Sequence, residues 1–454
     1  MKLASRLRPA AIGAAAALLT VMPLFACQDA SSRRDPPAND GDLALIQDVL
    51  QRVKQSYVEP VNTDKFVTNA LKGALTGLDP HSDYMDEKEY RQMQSDTRGE
   101  FGGLGMELTM ADGVPKVVSP IDDTPAARAG IRAGDLILKI TGQPTDNMNL
   151  AEVVERLRGP AGTSIELTIV RNGRSPFDIT LTRAVIHVVS VKSKLEPNRI
   201  GYARISTFTE QTQDELTDAI GRMQREAGGH LAGLVLDLRN DPGGLLDAAV
   251  DVAGDFLDGG TIVSTRGRES EDDEVYTAPA DGDRIRGTPM VVLINGASAS
   301  ASEIVAGALQ DDHRATVMGT GSFGKGSVQT IIPLHGRGAL RLTTARYYTP
   351  SGRSIQDHGI LPDIVVGLPK SERLAKGIVV HEADLRGALK NTGALNAIRG
   401  TASPEGAAAE TGAGGAAGDA PIDPAIIGTS KDSQLAAALK FLEGKMASAA
   451  RPRG

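Results

Sequence analysis

Three serines, Ser298, Ser300 and Ser302, alternate with alanines in Asn295-Gly-Ala-Ser-Ala-Ser-Ala-Ser-Glu303, directly after the apolar run 290–294. A run of that kind, rich in β-branched residues, suits a buried strand. The small apolar residues over 301–310 have good helix propensity. The serines therefore belong on a strand-to-helix turn. Amides at a helix start lack partners and favour negative charge. A serine hydroxyl there can attack a carbonyl, and the next N–H can hold the resulting oxyanion. The competing reading is a plain helix cap, because Ser300 and Glu303 fit the S-x-x-E box. The G-x-S-x-G nucleophile elbow is not met, since Gly296-Ala-Ser298-Ala-Ser300 ends in Ser.

Further on, Lys325 stands between Gly324 and Gly326, ahead of a second apolar strand over 328–334. To act as a base the amine must be neutral. Lowering its pKa from ~10.4 to ~7 costs about 4.6 kcal/mol of differential solvation, which burial among apolar strands can supply. Gln329 follows four residues later, and in a strand an even spacing puts both on one face. A neutral amide there can orient the lysine without giving it a counter-charge. The stretch Gly319-Thr-Gly-Ser-Phe-Gly324-Lys325 also begins like a phosphate-binding P-loop. Gly326 stands where that loop needs Ser or Thr, and strand follows where it needs helix.

With these residues in view the chain resembles the C-terminal processing (tail-specific) peptidases, over about 43–368. The shared signature is Ser298-Ala-Ser-Ala-Ser-Glu303, then Gln310-Asp311, then Phe323-Gly-Lys-Gly-Ser-Val-Gln329. The resemblance implies that Ser300 is the nucleophile, Lys325 the general base and Gln329 its orienting partner; the residue types alone do not choose among the three serines. It gives Glu303, Asp311 and Ser322 supporting roles. It also implies an oxyanion hole from Ala301 and from Gly243 or Gly244 in Asn240-Asp-Pro-Gly-Gly244. Independently of the resemblance, glycines opening a helix leave amides free for an anion; the alternative there is a simple turn. No metal or other cofactor is implied.

Around these motifs, the body over 187–370 alternates strand and helix, as in a largely parallel, covered sheet. The fold class expected is α/β: a ClpP/crotonase-like catalytic core with an inserted PDZ-like β-rich domain and N-terminal helices. The PDZ-like unit spans 98–186. Its Gly103, Leu104, Gly105 and Met106 stand where such domains bind a chain-terminal carboxylate, and Asn172-Gly173 signals a hairpin. The bland reading is that the glycines only permit a turn. Apolar spacing predicts amphipathic helices within 42–97. These end in Leu78-Asp-Pro-His-Ser-Asp-Tyr84, read as a structural turn, since His81 has no second metal ligand at suitable spacing. Residues 371–400 read as a C-terminal helical segment, 401–430 as a low-complexity linker, and 431–454 as a terminal helix and tail.

Of the 454 residues, 41% are hydrophobic and 23% charged, the ordinary balance of a globular protein. A net charge of −8 argues against a nucleic-acid partner. Lys2, Arg6 and Arg8 followed by a short apolar stretch read as a signal peptide over 1–27. Leu24-Phe-Ala-Cys27 resembles a bacterial lipoprotein processing box, which makes Cys27 a lipidation site and residues 28–41 a tether. The expected protein is exported, periplasmic and held at the membrane only through that lipid or the signal segment. Its partners would be protein substrates with exposed C-termini, an adaptor protein and further copies of itself. Two rival functions remain open: a catalytically silent peptide-binding scaffold, and a Ser–His hydrolase using one of seven histidines, of which His313 lies close to Asp311.

Overall fold

The computed structural model describes residues 40–171, 174–374, 380–391 and 421–449. The expected signal peptide, Cys27, most of the tether, the Asn172-Gly173 turn, residues 401–420 and the last few residues lie outside the described residues. The chain divides into two units, Met1–Phe66 and Val67–Gly454. The first carries α1 (Asp40–Ser56), on which Leu43, Leu45, Ile46 and Val49 are exposed. The next helix, α2 (Thr63–Thr76), begins at the end of that unit. Among the described residues no helix is long and apolar enough to cross a membrane.

In the second unit β1 (Asp83–Met85) precedes α3 (Glu87–Thr97), whose start is closed by a reciprocal box between Asp86 and Glu89. The chain then enters β2 (Glu100–Gly103) and returns along β9 (Ala184–His187), and these two pair antiparallel. Everything between them is a separate β-rich body. It holds β3 (Met106–Ala111), β4 (Val114–Pro120), the short α4 (Pro125–Arg128), β5 (Leu136–Ile140), β6 (Gln143–Pro144), α5 (Leu150–Leu157), β7 (Ser164–Val170) and β8 (Phe177–Thr182). Its sheet runs β3-β4-β5-β7-β8, with β6 beside β5. Alternating residues Ile165, Leu167 and Ile169 point into its core with Val117, Ile137 and Val153.

The remaining chain builds the larger body. Its sheet has the order β10 (Val191–Glu196), β11 (Ile200–Ile205), β12 (Gly233–Asp237), β15 (Met290–Ile294), β16 (Thr316–Gly319) and β19 (Ile364–Val365). Only the β10–β11 pairing is antiparallel. Helices α6 (Thr212–Glu226), α7 (Leu246–Gly254) and α8 (Ala301–Asp311) share one core with Leu234, Leu236, Val292 and Ile294. The C-terminal α9 (Ser433–Ala449) covers the other face, packing Leu435, Ala438 and Leu442 on Val235, Val291 and Leu293. Burial on both faces is why these strands read as unbroken apolar runs. A second sheet, β1-β18-β13-β14, comprises β13 (Thr261–Arg266), β14 (Glu274–Thr277) and β18 (Ala339–Tyr348), with β17 (Ser327–Pro333) also paired to β18.

The expected C-terminal helical segment over 371–400 lies partly outside the described residues, at 375–379 and 392–400. In the described part of 371–400 there is no α-helix, only single-turn 3-10 helices at Lys370–Glu372 and Glu382–Asp384. Residues 380–391 instead form a strap whose polar groups are taken by the core: the Glu382 amide donates to Phe323 and the Asn391 amide to Asp357. Such tertiary bonds outweigh the few tenths of a kcal/mol per residue in local helix preference.

Candidate active site

Strand β15 delivers the chain to the serine turn at the edge of α8. The three serines now differ. Ser298 is fully buried, donating to the Leu238 carbonyl at 2.7 Å and accepting from the Asn295 amide at 3.0 Å. Ser302 is fully buried and donates to the Asp241 carbonyl at 3.1 Å. Both hydroxyls are spent on backbone. Ser300 is half-buried and sits at φ 56° and ψ −113°, a region non-glycine residues avoid. Backbone strain of that kind persists only where surrounding contacts hold it and is concentrated at functional sites. The cap expected from Ser300 and Glu303 is present in one half: the Glu303 carboxylate accepts from the Ser300 amide at 2.8 Å.

Glu303 does more than cap. It is completely buried and also accepts from Ser322 Oγ at 2.5 Å, the Gly324 amide at 2.7 Å and the Lys325 amide at 3.0 Å. One carboxylate thus joins the serine turn to the lysine loop. Burial pushes its pKa up to about 7, against the pull of those four donors. Ser322 in turn accepts from the Ile360 amide at 2.7 Å. The joint is completed by Tyr347 on β18, whose phenol donates to the Lys325 carbonyl and meets the Ser300 hydroxyl.

Lys325 lies two residues ahead of β17, not within it, and a bulge separates Val328 from Gln329. Lys325 and Gln329 therefore do not share a strand face. The Gln329 amide donates to Ser327 Oγ at 3.0 Å and Thr343 Oγ1 at 3.2 Å. Among the described residues the Lys325 amine makes no hydrogen bond or ion pair, so it contacts neither Gln329 nor the Ser300 hydroxyl at bonding distance in this arrangement. Desolvation holds its pKa below the usual lysine value. Glu382, Glu303 and Asp79 oppose that shift, and Arg341 reinforces it.

The Asn240-Asp-Pro-Gly-Gly244 loop abuts the serine turn. A Cβ at Gly243, where φ is 95°, would come within 2.8 Å of the Ala301 nitrogen and 2.9 Å of Ser300 Cβ, so only glycine allows the approach. The Gly243 amide is already committed, donating to Asp241 Oδ1 at 2.8 Å. The amides of Gly244 and Ala301 have no protein acceptor among the described residues. Asp241 is fully buried, and its second carboxylate oxygen has no partner among them; burial pushes its pKa up to about 8.

Asp311 is a correction. It ends α8, ten residues after Ala301 and so about 15 Å along the axis. There it pairs with Arg353 at 2.5 Å and accepts from the Ser351 amide at 3.0 Å, fixing the turn after β18. His313 lies at the same far end and is exposed, which removes it as a partner for Ser300. In the β-rich body Leu104 is buried, and Gly105 at φ 74° is forced by contact: a Cβ there would lie 2.3 Å from Thr124 Cβ. Met106 opens β3, which among the described residues pairs only with β4 and leaves its other edge unpaired.

Several neighbours of the site escaped the sequence reading. The stretch around His81 is more than a turn: Asp79 accepts from Ser82 Oγ at 2.6 Å and Thr343 Oγ1 at 3.1 Å, and His81 Nε2 reaches Glu382 at 2.8 Å. Its signal was a buried-type Asp and a His inside a motif, but the partners stand some 260 and 300 residues away in sequence. Asp241 and Tyr347 gave no spacing signal at all. Among the described residues no cluster of three or more His, Cys, Asp or Glu is arranged to hold a metal ion.

Comparison with known proteins is consistent across the chain. Residues 199–366 match Peptidase family S41, and residues 116–171 match the PDZ domain. A carboxy-terminal-processing protease of Bartonella bacilliformis is 50% identical over 414 residues, covering 90% of each chain. The carboxy-terminal processing protease CtpA of Bacillus subtilis is 33% identical, covering 79% of this chain and 77% of that one. Among solved structures, a photosystem II D1 C-terminal processing protease is 30% identical, covers 72% of this chain and 94% of its own, and gives a TM-score of 0.41.

Proposed function

We propose, from the premise that this chain belongs to the carboxy-terminal-processing serine proteases of peptidase family S41, that it cuts polypeptides through a Ser300–Lys325 dyad. The observation that carries the reading is the single Glu303 carboxylate holding the amides of Ser300 and Lys325 together, beneath a serine in strained backbone. Movement of the Lys325 side chain brings the amine, once deprotonated, to the hydroxyl. Ser300 Oγ attacks the scissile carbonyl as Lys325 takes its proton, and the oxyanion is met by the uncommitted amides of Gly244 and Ala301. The lysine proton passes to the departing amine, leaving an acyl-enzyme. Water, deprotonated by the same lysine, releases the new C-terminus and restores Ser300.

In this reading the PDZ domain captures a substrate by its terminal carboxylate at 103–106, with the peptide adding a strand to the open edge of β3. Substrates are then unfolded or flexible proteins with exposed C-termini. The exported, periplasmic location and the lipid on Cys27 belong to the same proposal, supported by the basic N-terminus and the Leu-Phe-Ala-Cys27 box. The exposed apolar stripe of α1 supports self-association.

The decisive experiment is digestion of casein by the wild type, Ser300→Ala and Lys325→Ala. Both variants should melt within a few degrees of the wild type and leave casein intact. Fragments produced by purified Ser300→Ala would sink the assignment. A silent wild type that still binds C-terminal peptides would favour the scaffold.

A further inference from the structure

The strap 380–391 places an acidic residue against the lysine loop from a part of the chain no motif marks. Glu382 is 1% exposed. It is fixed on both sides of Lys325. Its amide donates to the Phe323 carbonyl at 3.1 Å, two residues before the lysine. Its carboxylate accepts from Gln356 Nε2 at 3.0 Å, while Gln356 Oε1 accepts from the Gly326 amide at 2.9 Å, one residue after it. From a third direction His81 Nε2 lies 2.8 and 3.0 Å from the two carboxylate oxygens.

We propose that Glu382 is a positioning residue that opposes loss of the Lys325 proton in this arrangement, so that the strap is a restraint which must loosen, or lose its charge, before the lysine serves as base. The inference rests on the reading of Lys325 as general base. A buried carboxylate near a buried amine favours the charged amine, and a charged amine cannot accept the serine proton. Among the charges facing Lys325, Glu382 contributes most; Glu303 and Asp79 act in the same sense, and Arg341 acts against them. His81 and Gln356 hold Glu382 ionised despite its burial, and Lys325 itself adds to that. Glu382 also bears on Tyr347: burial pushes its phenol up, and Glu382 helps, together with Glu303. Strap, His81 stretch and lysine loop thus share one charge balance, and displacement of the strap by an incoming chain would release the amine toward neutrality.

The test is the pH profile of kcat/KM on an unstructured protein for full-length wild type, Glu382→Gln and Glu382→Asp, with Lys325→Ala alongside. Glu382→Gln keeps the size and an acceptor but removes the charge. Its acid limb should move about one unit to lower pH, about a tenfold gain in kcat/KM on that limb. Glu382→Asp should return the limb toward the wild-type position. The Lys325 amine is read independently by its rate of reductive methylation against pH, followed by peptide mass spectrometry. Its half-point should fall by a similar amount in Glu382→Gln. An unmoved limb and an unmoved methylation profile, with Lys325→Ala inactive, overturn this inference alone. Wild-type activity in Lys325→Ala overturns the base assignment beneath it. A merely structural role for Glu382 would lower kcat/KM at all pH values without moving either half-point.

Discussion

Ser300 is set apart from its neighbours by backbone and not by side-chain type. Ser300 alone of the three has a positive φ, and Ser298 and Ser302 spend their hydroxyls on backbone carbonyls. Ser298→Ala leaves the Leu238 carbonyl and the Asn295 amide buried without partners, and should cost about 1–3 kcal/mol in urea unfolding. The same variant should still become covalently labelled by an active-site serine reagent, whereas Ser300→Ala should not. Asp241 gives a prediction in pH. Its carboxyl holds a proton up to about 8 in the fold and to about 3.9 when unfolded. Between those values the native state carries the extra proton, so this group makes stability fall as pH rises from about 4 to about 8. Asp241→Asn keeps an acceptor for the Gly243 amide and removes the titration. Melting temperatures between pH 5 and 8 should therefore decline less in the variant; an identical slope would contradict the assignment.

At the scale of elements, α9 closes the sheet from behind and reaches the loop beside the serine. Arg239, fully buried, pairs with Asp237 on β12 at 2.5 Å and with Asp432, just before α9, at 2.7 Å. Gln434 and Tyr202 complete that network, and Asn240 Nδ2 donates to the Ile422 carbonyl at 2.7 Å. Removing one partner of a buried pair leaves a charge uncompensated, typically at about 3–5 kcal/mol. Asp432→Ala should therefore lose stability of that order by chemical denaturation. It should also lower kcat more than KM, because Arg239 precedes the loop that carries Gly243 and Gly244. Replacing the exposed Lys431 with Ala should change neither, which calibrates the loss.

For the molecule as a whole, the pairing of β2 with β9 decides how the PDZ domain is attached. Gly103 lies opposite Ala184, so the inserted body enters and leaves on neighbouring strands. A two-residue hairpin turn spans such a pair. Excising 104–183 and joining the ends with Asn-Gly should leave a core that folds and melts cooperatively. That core should cut casein poorly, with KM raised at least about tenfold, the loss expected when capture and cleavage become separate encounters. It should also lose all binding to an immobilised C-terminal peptide. Retained peptide binding would move the capture site out of the PDZ domain.

The central strands and helices of the catalytic body, the β-rich insert and the two loops that carry Ser300 and Lys325 were legible in the chain, because burial on both faces writes unbroken apolar runs and glycines mark where backbone must turn sharply; the short strands β13 and β14 were not. The sequence could also say that one of three serines was special, and family resemblance said which. Only the fold decided what surrounds it. Asp311 left the site because a helix of that length carries its far end away. Gln329 turned to Ser327 and Thr343 because a bulge breaks the strand's alternation. Glu303, read as a cap, became the joint of two loops, and His81 and Glu382 met across some 300 residues. Local pattern records propensity and burial over a few turns of chain. Which charges share a pocket depends on contacts between distant segments, and one chain read in order holds no record of those.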